Sequence, residues 1–252
     1  MKKLLLASLI FCFTFTAAAQ AKIKSINFAS EYWEEATEKD GTGLYWEIFR
    51  MVYKLEEIEL KFKIYPYARA MKMVRNKEVD ASVGSYAGEF DDVLYSELPF
   101  DLDVTSIVYL KSKGIKWEGE KTIAGKKVGW IRDYVYDEYI SVKVKKRELN
   151  KRKQAYRMLE KGRLDFFMDS LIDVSIQMQK KYIKAEKFQV ETFSQGNLYL
   201  VFADNKRGAE LKAVYDKNMP KLVKSGKIKA LFEKWGVPTY AFDEQGSPLA
   251  KD

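Results

Sequence analysis

Few side chains in this sequence can carry catalytic chemistry, because two of the usual catalytic residue types are almost missing. The 252 residues include no histidine and one cysteine, Cys12. Zinc sites built from histidine and cysteine, Ser-His-Asp triads and Cys-His dyads are therefore excluded, since their ligands and general bases do not exist. We predict no metal and no cofactor. Carboxylates, guanidinium groups, hydroxyls and aromatic rings remain as candidates, and these groups bind and orient small polar molecules.

Asp169 is the first candidate, because it follows an apolar run that is typical of a buried strand. A carboxylate at such a strand end needs a partner, and the cationic group of a ligand would serve. Aspartate is also a favoured N-cap residue, and a helix is predicted to start near Leu171. Asp169 therefore has two open roles, as a ligand contact and as a helix cap.

The segment Gly84-Ser85-Tyr86 is the second candidate, at the end of another predicted strand. Glycine lets a backbone approach a small ligand closely, and the next two residues supply hydroxyl groups. The alternative is an ordinary turn; the sequence favours a binding loop.

Two arginines and four aromatic residues complete the candidate site. Arg69 and Arg132 lie near a predicted helix start and a predicted strand exit, from which each can reach a ligand; the alternatives are a surface salt bridge and a solvated loop charge. Aromatic rings suit cations and the flat parts of a ligand, although any one of them is more often a core residue. The candidate aromatic walls are Tyr32, Trp33, Tyr67 and Trp130, with Trp33 favoured because it directly follows the first strand.

Alternating strands and helices must position these residues. Hydrophobic periodicity predicts strands near residues 22–29, 60–64 and 79–84, with helices near 44–55 and 68–76 between them. Strands and helices in this order with short joints predict a parallel sheet with right-handed crossovers.

The middle of the chain repeats this pattern. Strands are predicted at 127–131, 164–168 and 188–192, and helices at 151–161 and 171–180. The strand at 164–168 is almost continuously apolar, which is typical of a strand covered on both faces.

Two extended segments, 104–110 and 198–202, bracket this middle block, and helices at 207–225 and 227–235 follow. Pro220 should kink or split the first of these helices. The order predicts an α/β protein of two lobes, with the second lobe inserted into the first and two strands crossing between them.

The N-terminus predicts export. Lys2 and Lys3 precede an apolar run that ends in Ala19-Gln20-Ala21, which indicates a signal peptide over residues 1–21 with cleavage after Ala21. The run is too short to span a bilayer. We therefore expect a periplasmic protein without disulfides. The net charge of +8 comes from dispersed lysines, which indicates a solvated surface and no nucleic-acid partner.

Several motifs in order give the sequence a resemblance to bacterial extracellular solute-binding proteins of family 3. The segments that carry it are Gly41–Phe49, Tyr65–Ala70, Asp80–Gly84, Tyr95–Phe100, Gly125–Gly129, Gly162–Asp165 and Gly226–Gly236. The resemblance implies a type 2 periplasmic-binding-protein fold, with residues 22–108 and 200–252 in one lobe, 109–199 in the other, and a two-strand hinge.

The function that this resemblance implies is the capture of a small polar solute, an amino acid or a related carboxylate or amine compound, by cleft closure. A membrane permease of an ABC importer would receive the solute from the protein, which is expected to be a monomer. In the family, a residue at the position of Asp169 often holds the ligand's ammonium group, and the loop at Gly84–Tyr86 offers main-chain groups and a hydroxyl.

One departure from the family puts an ordinary α-amino acid in doubt. Amino-acid-binding members carry an arginine after this loop that grips the ligand's carboxylate, whereas this sequence has Glu89-Phe90-Asp91-Asp92. A carboxylate cannot make that contact, so Arg69 or Arg132 would have to compensate. A sensory partner of a membrane receptor and a cyclohexadienyl-dehydratase-like enzyme on the same scaffold stay open as alternatives.

Overall fold

The computed structural model describes residues 22–132, 134, 136–138 and 140–250. The predicted signal peptide, residues 1–21, and its cleavage site lie outside the described residues. Across the described part of the chain, no helix combines the length and apolar character needed to cross a membrane.

The first part of the described chain alternates strands and helices. The elements are β1 (Ser25–Ser30), α1 (Leu44–Lys54), β2 (Glu59–Ile64), α2 (Tyr67–Arg75) and β3 (Ala81–Ser85). β1 pairs in parallel with both β2 and β3. The predicted parallel arrangement is therefore confirmed, and it brings the carboxyl ends of β1 and β3 to the same edge.

The next part contains two strands that the sequence analysis missed. Its elements are β4 (Val93–Tyr95), β5 (Asp101–Leu110), β6 (Lys127–Ile131), β7 (Lys145–Leu149) and α3 (Arg152–Glu160). β4 has only three residues, and four of the five residues of β7 are exposed. β7 pairs in parallel with β6. Neither missed strand has the apolar alternation by which a half-buried strand is detected.

The last part completes the sheet and adds two helices. Its elements are β8 (Phe166–Ser170), α4 (Leu171–Met178), β9 (Phe188–Ala203), α5 (Lys206–Lys224) and α6 (Lys227–Trp235). β8 pairs in parallel with β6 and antiparallel with β5.

Two long strands connect the two groups of elements. β5 and β9 pair antiparallel from Asp101 opposite Leu198 to Leu110 opposite Phe188, and the strand order is β2-β1-β3-β9-β5-β8-β6-β7. β9 therefore borders the first group of strands and β5 borders the second. We call β1–β4, α1, α2, α5 and α6 the first lobe, β6–β8, α3 and α4 the second lobe, and β5 and β9 the crossing strands.

The prediction of two separate strands at 188–192 and 198–202 is wrong, because β9 is one continuous strand of 16 residues. The polar residues between the two apolar runs pair with β5 and do not form a loop. The proposed lobe boundaries at 108/109 and 199/200 fall inside the crossing strands and stay a prediction.

Each lobe has its own core. In the second lobe, Trp130, Phe166 and Met168 belong to a cluster on one side of the sheet, whereas Phe167 and Leu159 belong to a cluster on the other. Successive residues of a strand point to opposite faces. The continuous apolar run of β8 is therefore explained by cover on both faces, as predicted.

Pro220 neither splits nor ends α5, which is one helix from Lys206 to Lys224. Proline removes one helical hydrogen bond. The helix buries Tyr215, Met219 and Leu222 in the first-lobe core. We attribute its continuity to this packing, which outweighs the local cost of the proline.

The start of β5 contains a buried carboxyl group. Asp101 is fully buried, and it accepts hydrogen bonds from the Tyr45 hydroxyl at 2.5 Å and from the backbone N–H of Leu102 at 2.7 Å. Burial raises the pKa of Asp101 to about 8. The folded protein therefore holds a proton on Asp101 at pH values where the unfolded chain has released it.

We predict that Asp101→Asn makes the free energy of unfolding less dependent on pH. Between about pH 4 and pH 8 the folded state binds more protons at Asp101 than the unfolded state, so stability falls as pH rises, by up to about 1.4 kcal/mol per pH unit. Chemical unfolding at pH 5 and pH 7.5 measures this: between these pH values the free energy of unfolding should fall less for the variant than for the parent. Asp91→Asn, at an exposed position, is the control; equal slopes in the parent and in Asp101→Asn would refute the assignment.

Candidate functional site

The ends of β1 and β3 bring two of the predicted residues into contact. Gly84 has a φ of +84°, and a Cβ atom placed there would lie 2.5 Å from Cη2 of the Trp33 indole. Trp33 also packs edge-on against the Tyr45 ring, with centroids 6.1 Å apart. The missing side chain of Gly84 therefore makes room for an indole ring at the edge where a ligand is expected.

We predict that Gly84→Ala is more damaging than Gly88→Ala. Both glycines have positive φ, so both substitutions bring about 1–2 kcal/mol of backbone strain, but a Cβ at Gly88 meets no atom within 4 Å. Gly84→Ala must also displace the Trp33 ring, which adds about 1–3 kcal/mol. Thermal unfolding and tryptophan fluorescence check this; equal losses of stability, with an unchanged emission maximum, would contradict the contact.

Glu89 gathers three of the predicted residues around its carboxylate. The Tyr67 hydroxyl lies 3.0 and 2.9 Å from its two oxygens, the Ser85 hydroxyl donates to Oε2 at 2.9 Å, and the backbone N–H of Tyr86 donates at 3.3 Å. We call Tyr67, Ser85, Tyr86 and Glu89 the Glu89 cluster. The sequence analysis treated Glu89 only as part of the acidic segment that replaces an arginine. The spacing from Ser85 to Glu89 is the only signal that could have suggested this contact.

Tyr86 links the Glu89 cluster to the crossing strands. Its hydroxyl donates to Oδ2 of Asp103 in β5 at 2.5 Å. Its ring lies against Gly196 of β9, where a Cβ atom would be 3.1 Å from Cε1 of Tyr86. Asp103 and Gly196 are partners in the strand register. The glycine thus leaves space for a first-lobe tyrosine directly opposite an aspartate, and burial raises the pKa of that aspartate.

Asp169 has a partner that the sequence analysis missed. Its carboxylate is fully buried and accepts from Nε of Arg152 at 2.7 Å, from Nη2 at 3.2 Å and from the backbone N–H of Ser170 at 3.0 Å. The suggested N-cap role of Asp169 is wrong. The cap of α4 is Ser170, whose hydroxyl accepts from the N–H of Asp173, because β8 extends further than the sequence indicates.

Arg152 holds a second carboxylate as well. Its Nη2 lies 2.7 Å from Oδ2 of Asp173 and 2.8 Å from the Tyr134 hydroxyl. We call Arg152, Asp169, Asp173 and Tyr134 the Arg152 cluster. Burial raises the pKa of Asp169 to about 7, and the nearby guanidinium opposes that rise. The ligand-binding role of Asp169 stays a prediction, and any ligand cation there would share the carboxylate with Arg152.

We predict that Arg152→Met destabilises the protein by about 3 kcal/mol at neutral pH, because it leaves a buried carboxylate unpaired. The loss should shrink at pH 5, where a neutral Asp169 needs no counter-ion. Arg132→Met is the matched control, since the side chain of Arg132 is 57% exposed and surface substitutions change stability by about 0.5 kcal/mol or less. Chemical unfolding measures the stability of both variants. Equal losses of stability would contradict the buried pair of Arg152 and Asp169.

The remaining four predicted residues lie outside these clusters: Arg69, Trp130, Arg132 and Tyr32, the last of which lines the groove described below. Trp130 is fully buried and packs edge-on against Tyr136, with centroids 6.3 Å apart. Arg132 is exposed and donates to a side chain of the neighbouring loop. Arg69 is exposed, and its guanidinium carbon lies 4.5 Å from the centroid of the Tyr65 ring. These partners, Tyr136, Asn150 and Tyr65, belong to neither the Glu89 cluster nor the Arg152 cluster.

A groove of about 820 Å³ lies at the ends of β1 and β2. Its lining residues are Glu31, Tyr32, Lys39, Phe62, Lys63, Ile64, Tyr65 and Pro66. Glu31, which the sequence analysis missed, is half-buried, and burial raises the pKa of its carboxyl. Within the part of the chain that the structure describes, no group of three or more histidine, cysteine, aspartate or glutamate residues is arranged to hold a metal.

Comparison with known proteins identifies the fold. No family model and no curated protein matches the sequence. Among solved structures, YckB of Bacillus subtilis is 16% identical, with a TM-score of 0.72 over 91% of this chain and 94% of its own. The amino acid ABC transporter substrate-binding protein AbpA from Streptococcus pneumoniae, bound to L-arginine, is 16% identical, with a TM-score of 0.61 over 84% of this chain and 94% of its own.

A third solved structure comes from a different functional class. A histidine kinase sensor domain with similarity to periplasmic binding proteins is 15% identical, with a TM-score of 0.65 over 87% of this chain and 99% of its own. These likenesses show that the chain has the α/β fold of type 2 periplasmic binding proteins. The fold that the sequence resemblance implies is therefore confirmed.

Proposed function

We propose that this chain is a periplasmic solute-binding protein of family 3 that closes its two lobes around a small polar solute. The observation that carries this proposal is the position of the Glu89 cluster and the Arg152 cluster, which come from different lobes, beside the same crossing strands. AbpA, a structural neighbour, is bound to L-arginine. The solute would be passed to the membrane permease of an ABC importer, with the protein acting as a monomer.

Electrostatic coupling supports a shared space between the lobes. Burial raises the pKa of the Tyr136 hydroxyl, and the charges of Asp169 and Asp103 raise it further. The charge of Asp173 in the second lobe contributes to the raised pKa of Asp103 in β5. Leu171, the first residue of α4, packs against the first-lobe core. Asp103, which accepts a hydrogen bond from Tyr86 of the first lobe, therefore also lies near a charged group of the second lobe.

Closure would give these contacts their strength. Removal of a ligand from water lowers the local dielectric, which strengthens each polar contact that it makes. We propose Trp33, Tyr67, Gly84, Ser85, Tyr86 and Asp169 as ligand-binding residues, and we add Glu89 and Arg152. Arg69, Trp130 and Arg132 stay predictions without a supporting contact.

The chain organisation that goes with this function is also a proposal. Residues 1–21 would be the signal peptide, removed on export to the periplasm. The first lobe would comprise 22–108 and 200–252, and the second lobe 109–199. Cleavage after Ala21 can be checked by N-terminal sequencing of the exported protein.

A sensory role is the second candidate, because a histidine kinase sensor domain has the same fold. In that role the closed form would bind a membrane receptor and not a permease. An enzymatic role is less well supported. Although the pKa of Asp169 is raised to about 7, as a general acid requires, its carboxylate is held by Arg152 and the Ser170 N–H.

We predict that one compound in a broad library of polar metabolites will stabilise the protein and close it. A ligand at 100 times its dissociation constant adds about 2.7 kcal/mol to the free energy of unfolding, which raises the melting temperature by several degrees. Thermal shift finds the compound, and small-angle scattering should show a smaller radius of gyration. Recovery of the compound unchanged excludes turnover. If no compound in the library raises the melting temperature or reduces the radius of gyration, the proposal is refuted.

A further inference from the structure

The charges in the cleft point to the chemical class of the solute, an inference that rests on the proposed function. Glu89 is exposed and accepts hydrogen bonds from two hydroxyls and one backbone N–H. Among the described residues, no lysine or arginine lies within salt-bridge distance of its carboxylate. The first-lobe side of the site therefore presents a fixed negative charge that neutral donors orient but do not cancel.

The arginine nearest to this cluster in sequence does not supply the missing charge. Arg69 lies two residues after Tyr67 on α2, and residues two apart lie on nearly opposite faces of a helix. Tyr67 contacts Glu89, whereas the guanidinium of Arg69 lies over the Tyr65 ring. Arg69 is therefore directed away from the carboxylate that Tyr67 contacts.

The second-lobe side also has more negative than positive charge. Arg152 is the cation of its cluster, and it is bound by two carboxylates, those of Asp169 and Asp173. Asp103, at the crossing strands, accepts a hydrogen bond from the Tyr86 hydroxyl at 2.5 Å. In the part of the chain that the structure describes, no lysine or arginine lies within salt-bridge distance of the Asp103 carboxylate. The proposed closure would bring these carboxylates nearer to Glu89, and like charges at short range repel one another.

A cationic ligand would remove this repulsion, whereas a carboxylate on the ligand would add to it. Aromatic surfaces near the same carboxylates, on Tyr67 and Tyr134, are also favourable neighbours for a cation. The groove that contains Glu31 differs, because Lys39 and Lys63 line it as well and balance its charge.

We propose that the cleft selects an aliphatic amine or guanidine that carries no carboxylate, and that Glu89 binds its cationic group. The charged amine would replace water at the outer side of the Glu89 carboxylate, while Tyr67, Ser85 and Tyr86 hold that carboxylate in place. A charge-assisted hydrogen bond of this kind is stronger than a neutral one.

Matched ligand pairs test the selectivity directly. Cadaverine and lysine differ only by a carboxylate, as do agmatine and arginine. Isothermal titration of the exported protein should show that at least one decarboxylated compound binds about tenfold or more tightly than its amino acid, a difference of about 1.4 kcal/mol. Equal or tighter binding of lysine and arginine would overturn the proposal.

The substitution Glu89→Gln tests whether Glu89 binds the cationic group of the ligand. It keeps the size of the side chain and removes its charge, so the affinity for the preferred amine should fall about tenfold or more. Asp91→Asn is the matched control, because it removes one negative charge from an exposed position in the same segment, and it should change the affinity by less than about twofold. An unchanged melting temperature shows that both variants are folded. Equal affinities of Glu89→Gln and the parent would refute the role of Glu89.

Failure of this inference differs from failure of the proposed function. If neither amine binds while a neutral or acidic solute closes the lobes, the charge selectivity is wrong and the solute-binding function stands. If no solute of any charge closes the lobes, the proposed function itself is wrong.

Discussion

The antiparallel pairing of β5 with β9 is the interaction on which the rest of the structure depends. These two strands form one hydrogen-bonded ladder between the first-lobe strands and the second-lobe strands. A register shift between Thr105 and Ser106 interrupts this ladder near its middle. Such irregularities bend and twist a strand. The crossing strands therefore join two separate cores without merging them, and a change of their twist would move one lobe against the other.

Polar groups near the crossing strands are held in ways that suit binding better than catalysis. Two buried carboxyl groups here have fixed donors: Asp101 has a tyrosine and a backbone N–H, and Asp169 has a guanidinium and a backbone N–H. Satisfied polar groups of this kind are rigid. Glu89, in contrast, is oriented by its neighbours and still exposed, which is why we propose it as a ligand-binding group.

Much of the fold was predictable because its strands and helices have strong periodic patterns. The strand at Lys127–Ile131 and the helix at Lys227–Trp235 agree with the predicted bounds. β7 was missed because four of its five residues are exposed, and β9 was divided because its centre is polar. These features are decided by pairing with a neighbouring strand, which local sequence does not reveal.

The candidate site was predictable only in part, for a related reason. Gly84, Ser85 and Tyr86 were found because a strand end next to a glycine is a local signal. Arg152 was missed because its partner Asp169 is 17 residues away along the chain and on another element. Trp130 was proposed as a cleft wall from its position near the end of a predicted strand, but the ring is buried in the second-lobe core. Side-chain direction at a strand end depends on packing that the sequence alone leaves open.

In the proposed function, the two lobes move about the crossing strands when a solute binds. The distance between spin labels at Lys72 in the first lobe and Lys181 in the second, both exposed, measures this motion most directly. Labels at Lys72 and Lys224, both in the first lobe, give the internal reference. We predict that a solute shortens the distance between the lobes and leaves the distance within the first lobe unchanged. An unchanged distance between the lobes, at saturation by a solute that binds the cleft, would contradict it.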